Sequence, residues 1–455
     1  MSHRALFFWD ADDRDAVRSD PDRPNEATRM GTNPGPPGPG PSPPGATRGE
    51  TWHLVAVFGL LSFLQGFGEP TEGLSSQPVR TLLLRHGYGA GRLATFSAVL
   101  ALPWALKPFL GLLTDFLPLG GSRRKGYLVA AGATAAVAFL APAVAPGGGR
   151  SAGGLLAWLF VATLALTLAD VTTDALVVDW GKAHGRTGRY QAAQWFCLYA
   201  SGVVTGTAGG ILSERGRTGL AFLLCAGAMT AMLVLASFVR EPVRAVAPAR
   251  PTDGGRSAGR SVLAVAAFLI LVNFHPFSST ILHVHMTGAL GLGERFFGDT
   301  LSVFALTAMA ASAVYGVIAP RLPMRVLAHA SVALGVVGIL AYGAMDDRRS
   351  AVIVTVVVGF TWMTSTLVQF ELAARACPPS AAGTVFAALM AVSNLSTALA
   401  TWLGGAWYDA AGAAWGRPAA FRVMIAAGAT FAAGGWLLIP WFPDPLLGPQ
   451  APGEP

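Results

Sequence analysis

Residues 102–127 read LPWALKPFLGLLTDFLPLGGSRRKGY. An apolar run carries Lys107 in its middle, one residue before Pro108, and closes at Asp115 ahead of the basic cluster Arg123, Arg124 and Lys125. Whether that lysine means anything depends on the solvent around it. The chain is 53% hydrophobic and only 13% charged, where a soluble protein carries about a quarter charged residues. The surroundings are therefore read as lipid, in which an ionisable side chain is costly and marks a path for solute or protons.

Working outward, runs long enough to cross a hydrocarbon core of about 30 Å, roughly 20 residues each, fall near 52–77, 91–114, 127–146, 154–178, 190–212, 219–239, 261–285, 297–319, 325–344, 351–373, 382–407 and 420–442. Backbone groups in lipid must bond internally, so twelve helices are expected rather than strands. The basic, Pro/Gly-rich stretch REPVRAVAPARPTDGGRSAGR splits them six and six. The expected organisation is a disordered tail at 1–50, a six-helix bundle at 51–240, a linker at 241–260, a second bundle at 261–443 and a short tail at 444–455. The fold class is all-α, polytopic and membrane-embedded.

The net charge of +7 does not suggest nucleic acid, because the arginines lie in short clusters between apolar runs and no basic amphipathic stripe occurs. Lys and Arg are more numerous in the loops on the amino-terminal side, which places the amino terminus in the cytoplasm and the chain in the inner membrane. Cys197, Cys225 and Cys377 are scattered in or beside apolar runs, so no disulfide framework is expected.

Glycines disclose an internal repeat. Gly188, Gly209 and Gly210 recur as Gly383, Gly404 and Gly405 at an offset of 195, and Pro70 recurs as Pro276 at 206. Two homologous six-helix halves follow, the plan of major facilitator transporters, with solute bound near the midplane. The repeat breaks where charge appears: Lys107 maps to Ser312, Asp170 to Ser365 and Asp174 to Gln369.

Asp170 and Asp174 share a helix face. Lys107 precedes Asp115 by as many residues, within one, as Asp170 precedes Asp179, which puts both about 12–14 Å from the same membrane surface. Lys107 is expected to receive an anionic group, and Asp170 or Asp174 to bind a polar edge or carry a proton; a purely structural ion pair is the plainer alternative. Gln65 and Glu69 around Pro70, and Asn273 and His275 around Pro276, are further binding candidates on spans that proline should interrupt. Glu72 reads as solvated, Glu371 and Arg375 as a local salt bridge, and His283 and His285, two apart, as pointing to different faces rather than to one metal. The small residues Gly202, Gly206 and Gly210 suit close helix packing.

Catalytic motifs are lacking: GRSAG at 149–153 and 255–259 fits GxSxG without the strand and helix of a nucleophile elbow, and no GxxxxGK[ST] or HExxH occurs. No enzyme activity, cofactor or metal is expected.

The stretch 102–127 resembles the second-to-third-helix signature of the folate/biopterin transporter family, a branch of the major facilitator group. LADVTTDALVVDWGKAHGRTGRYQAAQW, from Leu168 to Trp195, resembles its fourth-to-fifth-helix segment. Gly111, Asp115, Arg123 and Arg124 are similar to the facilitator loop that locks an inner gate. The resemblance implies secondary uptake of folates or pterins, with Lys107, Asp170 and Asp174 matching the family's intramembrane charges. Expected partners are a small-molecule anion, protons and membrane lipids. The alternatives are transport of another small organic solute and a membrane sensor that does not transport.

Overall fold

Apolar runs that bury no neighbouring strand can satisfy their backbone only within themselves, and helix is the outcome throughout. The computed structural model describes residues 48–144, 151–184, 186–241, 256–378 and 382–447. In chain order the helices are α1 (Arg48–Gly68), α2 (Ser76–Arg85), α3 (Ala90–Ala105), α4 (Lys107–Phe116), α5 (Lys125–Val144), α6 (Ala152–His184), α7 (Thr187–Glu214) and α8 (Thr218–Phe238). They continue with α9 (Arg256–Asn273), α10 (Ser279–Val284), α11 (Glu294–Ile318), α12 (Met324–Ala341), α13 (Arg348–Ala376), α14 (Ala382–Trp415), α15 (Arg417–Leu438) and α16 (Asp444–Leu447). Most of the expected tails 1–50 and 444–455 and of the linker 241–260 lies outside the described residues, but α1 already begins at Arg48, α9 at Arg256, and α16 occupies the start of the last tail.

Among the described residues, eleven helical stretches, with α3 and α4 counted as one, are long and apolar enough to cross a membrane. The seventh of the twelve expected crossings is not continuous. It is α9, an irregular link, α10 and a turn of π-helix at His285–Ala289. Pro276 lies in that link, where it has no N–H to offer the helix. The first crossing breaks in the same way: α1 stops at Gly68, Pro70 follows, and α2 resumes at Ser76, with Gly73 N bonded to Glu69 O and Leu74 N to Phe67 O. The expected first span 52–77 thus ends early for the reason that suggested its interruption.

The repeated glycines perform paired tasks. A Cβ on Gly209 would stand 3.3 Å from the carbonyl of Leu74 in the first break, and one on Gly404 would stand 1.6 Å from that of Pro276 in the second. Their neighbours face the other half of the chain: Gly210 packs on Arg295 and Gly298 of α11, Gly405 on Ala90, Gly91 and Ala94 of α3. The seams α7–α11 and α3–α14 are the most extensive helix pairings between the first six and last six crossings. Glycine is needed there because backbones touch. Gly188 and Gly383 meet nothing, so that pair of the repeat has no packing role.

Candidate functional site

Lys107 opens α4. Pro108, at the first turn of that helix, cannot donate to the carbonyl one turn back, so α3 ends at Ala105 and the crossing kinks at Leu106. The lysine emerges at this kink toward α6. Its Nζ lies 2.5 Å from Asp170 Oδ2 and 4.8 Å from the centre of the Trp104 ring. One turn along α6, Asp174 accepts from Gln194 Nε2 of α7 at 3.2 Å. Gln65 of α1 donates to Thr173 Oγ1 at 2.9 Å. Four crossings thus converge, and the structure brings together Lys107, Asp170, Asp174 and, one residue aside, Gln65.

The pair is accessible. The Lys107 and Asp170 side chains keep 23% and 28% of their surface exposed, and Asp174 is exposed. One cation stands against two carboxyl groups, an arrangement able to hold a proton, accept donors from a polar edge, or release the ammonium to an incoming anion.

The equivalent positions of the second half form a neutral network. Asn273 Nδ2 donates to Gln369 Oε1 at 2.8 Å, Gln369 Nε2 to Ser365 Oγ at 3.1 Å, and Ser365 meets Ser331 at 3.0 Å, while Ser312 bonds the carbonyl of Ala308. Asn273 therefore ties the seventh crossing to the tenth much as Gln65 ties the first to the fourth.

Other candidates lie apart from this cluster. Glu69 Oε2 accepts from Thr71 N, Thr71 Oγ1 and Glu72 N at 2.9, 2.7 and 2.6 Å, so that oxygen caps the first break, and its buried Oε1 has no hydrogen-bond partner. His275 Nδ1 lies 3.1 Å from the Phe277 carbonyl and its Cβ side faces Gly428 of α15. Glu72 is exposed, as expected, but also accepts from Ser279 Oγ at 2.5 Å and pairs with Arg80 at 3.4 Å. Glu371 and Arg375 form their local bridge at 2.6 Å, joined by Tyr315. His283 meets Glu294 and His285 meets Tyr408, on different faces. No three metal-ligating side chains cluster among the described residues, and the three cysteines are unpaired. The second GRSAG continues into α9 from Arg256, a helix with no elbow.

At the end of α4 the motif of the loop closes on itself. Arg124 reaches Asp115 at 2.6 Å, Thr114 Oγ1 at 2.7 Å and Asp179 at 3.8 Å, and Arg123 bonds the Asp115 carbonyl. Gly111 sits in ordinary contact, where a Cβ would meet only Val171 at 3.8 Å. Sequence reasoning missed Glu241, just beyond α8, which accepts from the backbone N–H groups of Arg123, Arg124 and Lys125 at 3.2, 2.7 and 2.6 Å. Burial works to raise its carboxyl, but those three donors and the Arg124 charge outweigh it and hold the group below the usual carboxylate range. Nothing local in the sequence marks Glu241. Gln194, a polar residue inside an apolar run, could have been found.

Among the described residues, helices alone, with the first and seventh crossings broken and a charged cluster within the spans, make up a membrane-embedded fold of the major facilitator type. Solved structures agree on the fold. The chain superposes with TM-score 0.66 on a D-xylose–proton symporter, at 12% identity over 84% of this chain and 97% of that one. It superposes with TM-score 0.65 on a bacterial homolog of the human lysosomal transporter Spinster in an inward-facing, unoccupied conformation, at 14% identity over 90% and 100%. The model of the BT1 family matches residues 72–269. A folate-biopterin transporter of Synechocystis sp. is 27% identical across 77% of this chain and 73% of its own. Both stretches that carried the resemblance fall inside the BT1 match, and the relatives are transporters, not enzymes.

Proposed function

We propose that this chain is a secondary active transporter of a folate- or pterin-like anion, working by alternating access between its two six-helix halves and coupled to protons. The supporting observation is the Lys107–Asp170 pair at 2.5 Å with exposed Asp174 one turn away. Three ionisable groups inside the spans with one cation and two carboxyls leave an excess negative charge. An incoming carboxylate is repelled by that excess and finds Lys107 already engaged. Protonating either carboxyl removes the excess, and protonating Asp170, the lysine's partner, also frees the ammonium, so anion and proton arrive together. Gln65 and Gln194 hold α1 and α7 to the carboxyl-bearing helix and can feel its protonation. Glu69, with one free oxygen, Asn273 and His275 stand at the helix breaks as secondary contacts.

Gly111, Asp115, Arg123 and Arg124 act in this reading as the gate at the cytoplasmic face, with the amino terminus on the same side of the inner membrane. The name of the Synechocystis relative supports folates and pterins as the solute class. The test is uptake of labelled folate and pterin by vesicles holding the purified protein under an inward proton gradient. Accumulation that collapses with an uncoupler is expected; binding with no accumulation under any gradient refutes transport.

A further inference from the structure

The end of the molecule away from the Asp115–Arg124 loop holds a second set of ionisable groups, unused by the site above. Glu294, the first residue of α11, points Oε2 at three donors: His283 Nε2 of α10 at 2.7 Å, Thr81 Oγ1 at 2.9 Å and Gln77 Nε2 at 3.0 Å, the last two from α2. Gln77 also bonds the Glu294 carbonyl at 2.6 Å. Donors from the first half of the chain therefore converge on a carboxylate of the second. Gln77, Thr81 and His283 are buried, and Glu294 is 19% exposed.

The surroundings make this contact a seam. Glu72 and Ser279, and Ser97 and Thr280, bond across the same two halves, and Asp409 accepts from the backbone N–H groups of Ala90 and Gly91. Beneath them a Cβ on Gly298 would lie 2.4 Å from the Gly206 carbonyl. Alternating access requires this end to part, and the polar seam must then be undone. On its open side lies a cavity of about 350 Å³ lined by Thr81, Arg85, Glu294 and Arg417, so the seam is one layer from solvent.

We propose that Glu294, held by His283, Gln77 and Thr81, is a proton-binding latch: ionised, it fastens the two halves at this end, and protonated, it lets them part. The inference rests on the alternating-access reading. A carboxylate oxygen accepts all three donors at once. Once Oε2 carries a proton it donates, and the donors facing it lose their common acceptor. His283 keeps its bond to Glu294 through Nε2 and has no hydrogen-bond partner at the buried Nδ1. A second ring proton there would be an unpaired buried donor beside the Arg80 charge. The carboxyl is therefore the switching group and the imidazole its holder. The charged or titratable groups facing the pair are Arg80 of α2, which is bound to Glu72, and Arg85 of α2 and Arg417 of α15, which line the cavity with Glu294.

The test uses full-length protein in vesicles with Cys197, Cys225 and Cys377 replaced and a single reporter, Val284→Cys, at a buried position on α10 lining the cavity. A membrane-impermeant maleimide is applied across about pH 3 to about pH 7, which spans the carboxylate range, and each rate is divided by that of the same cysteine in denatured protein at that pH, because the reactive thiolate itself declines as pH falls. The normalised rate should rise as pH falls, and that of E294Q should stay at the fast value at every pH, about tenfold above the parent at high pH. Thr81→Val removes one donor to the ionised form and should move the midpoint of the profile upward, which carries the test if E294Q does not fold. A parent profile flat in pH, an E294Q variant as protected as the parent, or a Thr81→Val midpoint that stays in place overturns the latch. Labelling needs no solute, so uptake that is intact beside a flat profile overturns the latch alone, and a working latch without uptake of any solute overturns only the transport reading.

Discussion

Replacing Lys107 by Met and Asp170 by Asn, singly and together, separates a solute-binding pair from a structural one. Surface pairs contribute about 0–1 kcal/mol and removing one partner of a fully buried pair costs about 3–5 kcal/mol. With 23% and 28% of the two side chains exposed, each single variant should lose about 1–3 kcal/mol of stability. The double variant leaves neither charge unpaired and should regain most of that loss. Uptake should behave differently. A charge-assisted contact of about 1.5–3 kcal/mol between Lys107 and an anion corresponds to roughly ten- to hundredfold in affinity, and restoring the fold does not restore it. The assays are thermal unfolding in detergent and initial uptake of labelled folate or pterin into vesicles. A double variant that recovers uptake along with stability refutes the reasoning, because the pair would then only join two helices.

Further outcomes follow from single residues. Asp174→Asn should abolish uncoupler-sensitive accumulation while leaving solute exchange, and pH dependence like that of the parent in both this variant and Asp170→Asn ends the coupling proposal. Gly404→Ala places a Cβ against the Pro276 carbonyl and should cost about 1–3 kcal/mol or more, whereas Gly383→Ala, in open space, should be neutral or slightly stabilising in the same unfolding assay. Glu241, whose carboxyl is held below the usual range, stabilises the loop above the ordinary carboxylate range and loses that contribution as pH falls through its own lower value. Glu241→Gln should therefore lower the melting point at neutral pH and flatten its decline below about pH 4.

Much of the fold was legible because lipid restricts the choices. An apolar run with no bonding partner outside itself must be a helix, and proline at Pro70 and Pro276 must interrupt it. Periodicity could not show where the broken seventh crossing resumes, since α10 has only the six residues Ser279–Val284 before the π-turn. The charged positions of the candidate site were also legible: Lys107, Asp170 and Asp174 stand out in apolar sequence, and the first two meet at 2.5 Å. Which partner each would take was not. Asp174 turns to Gln194 rather than to the lysine's near side, Glu69 spends one oxygen on its own turn, and His275 faces Phe277 and Gly428.

The amino-acid sequence alone determined the apolar solvent, the helices and their breaks, because each depends on local composition and on where proline falls. The tertiary structure decided which side chains meet. Glu241 reaching the start of α5, Glu294 gathering donors from α2, and the different partners of Gly209 and Gly210 all depend on how distant helices pack, and spacing along one chain carries no record of distance across a seam.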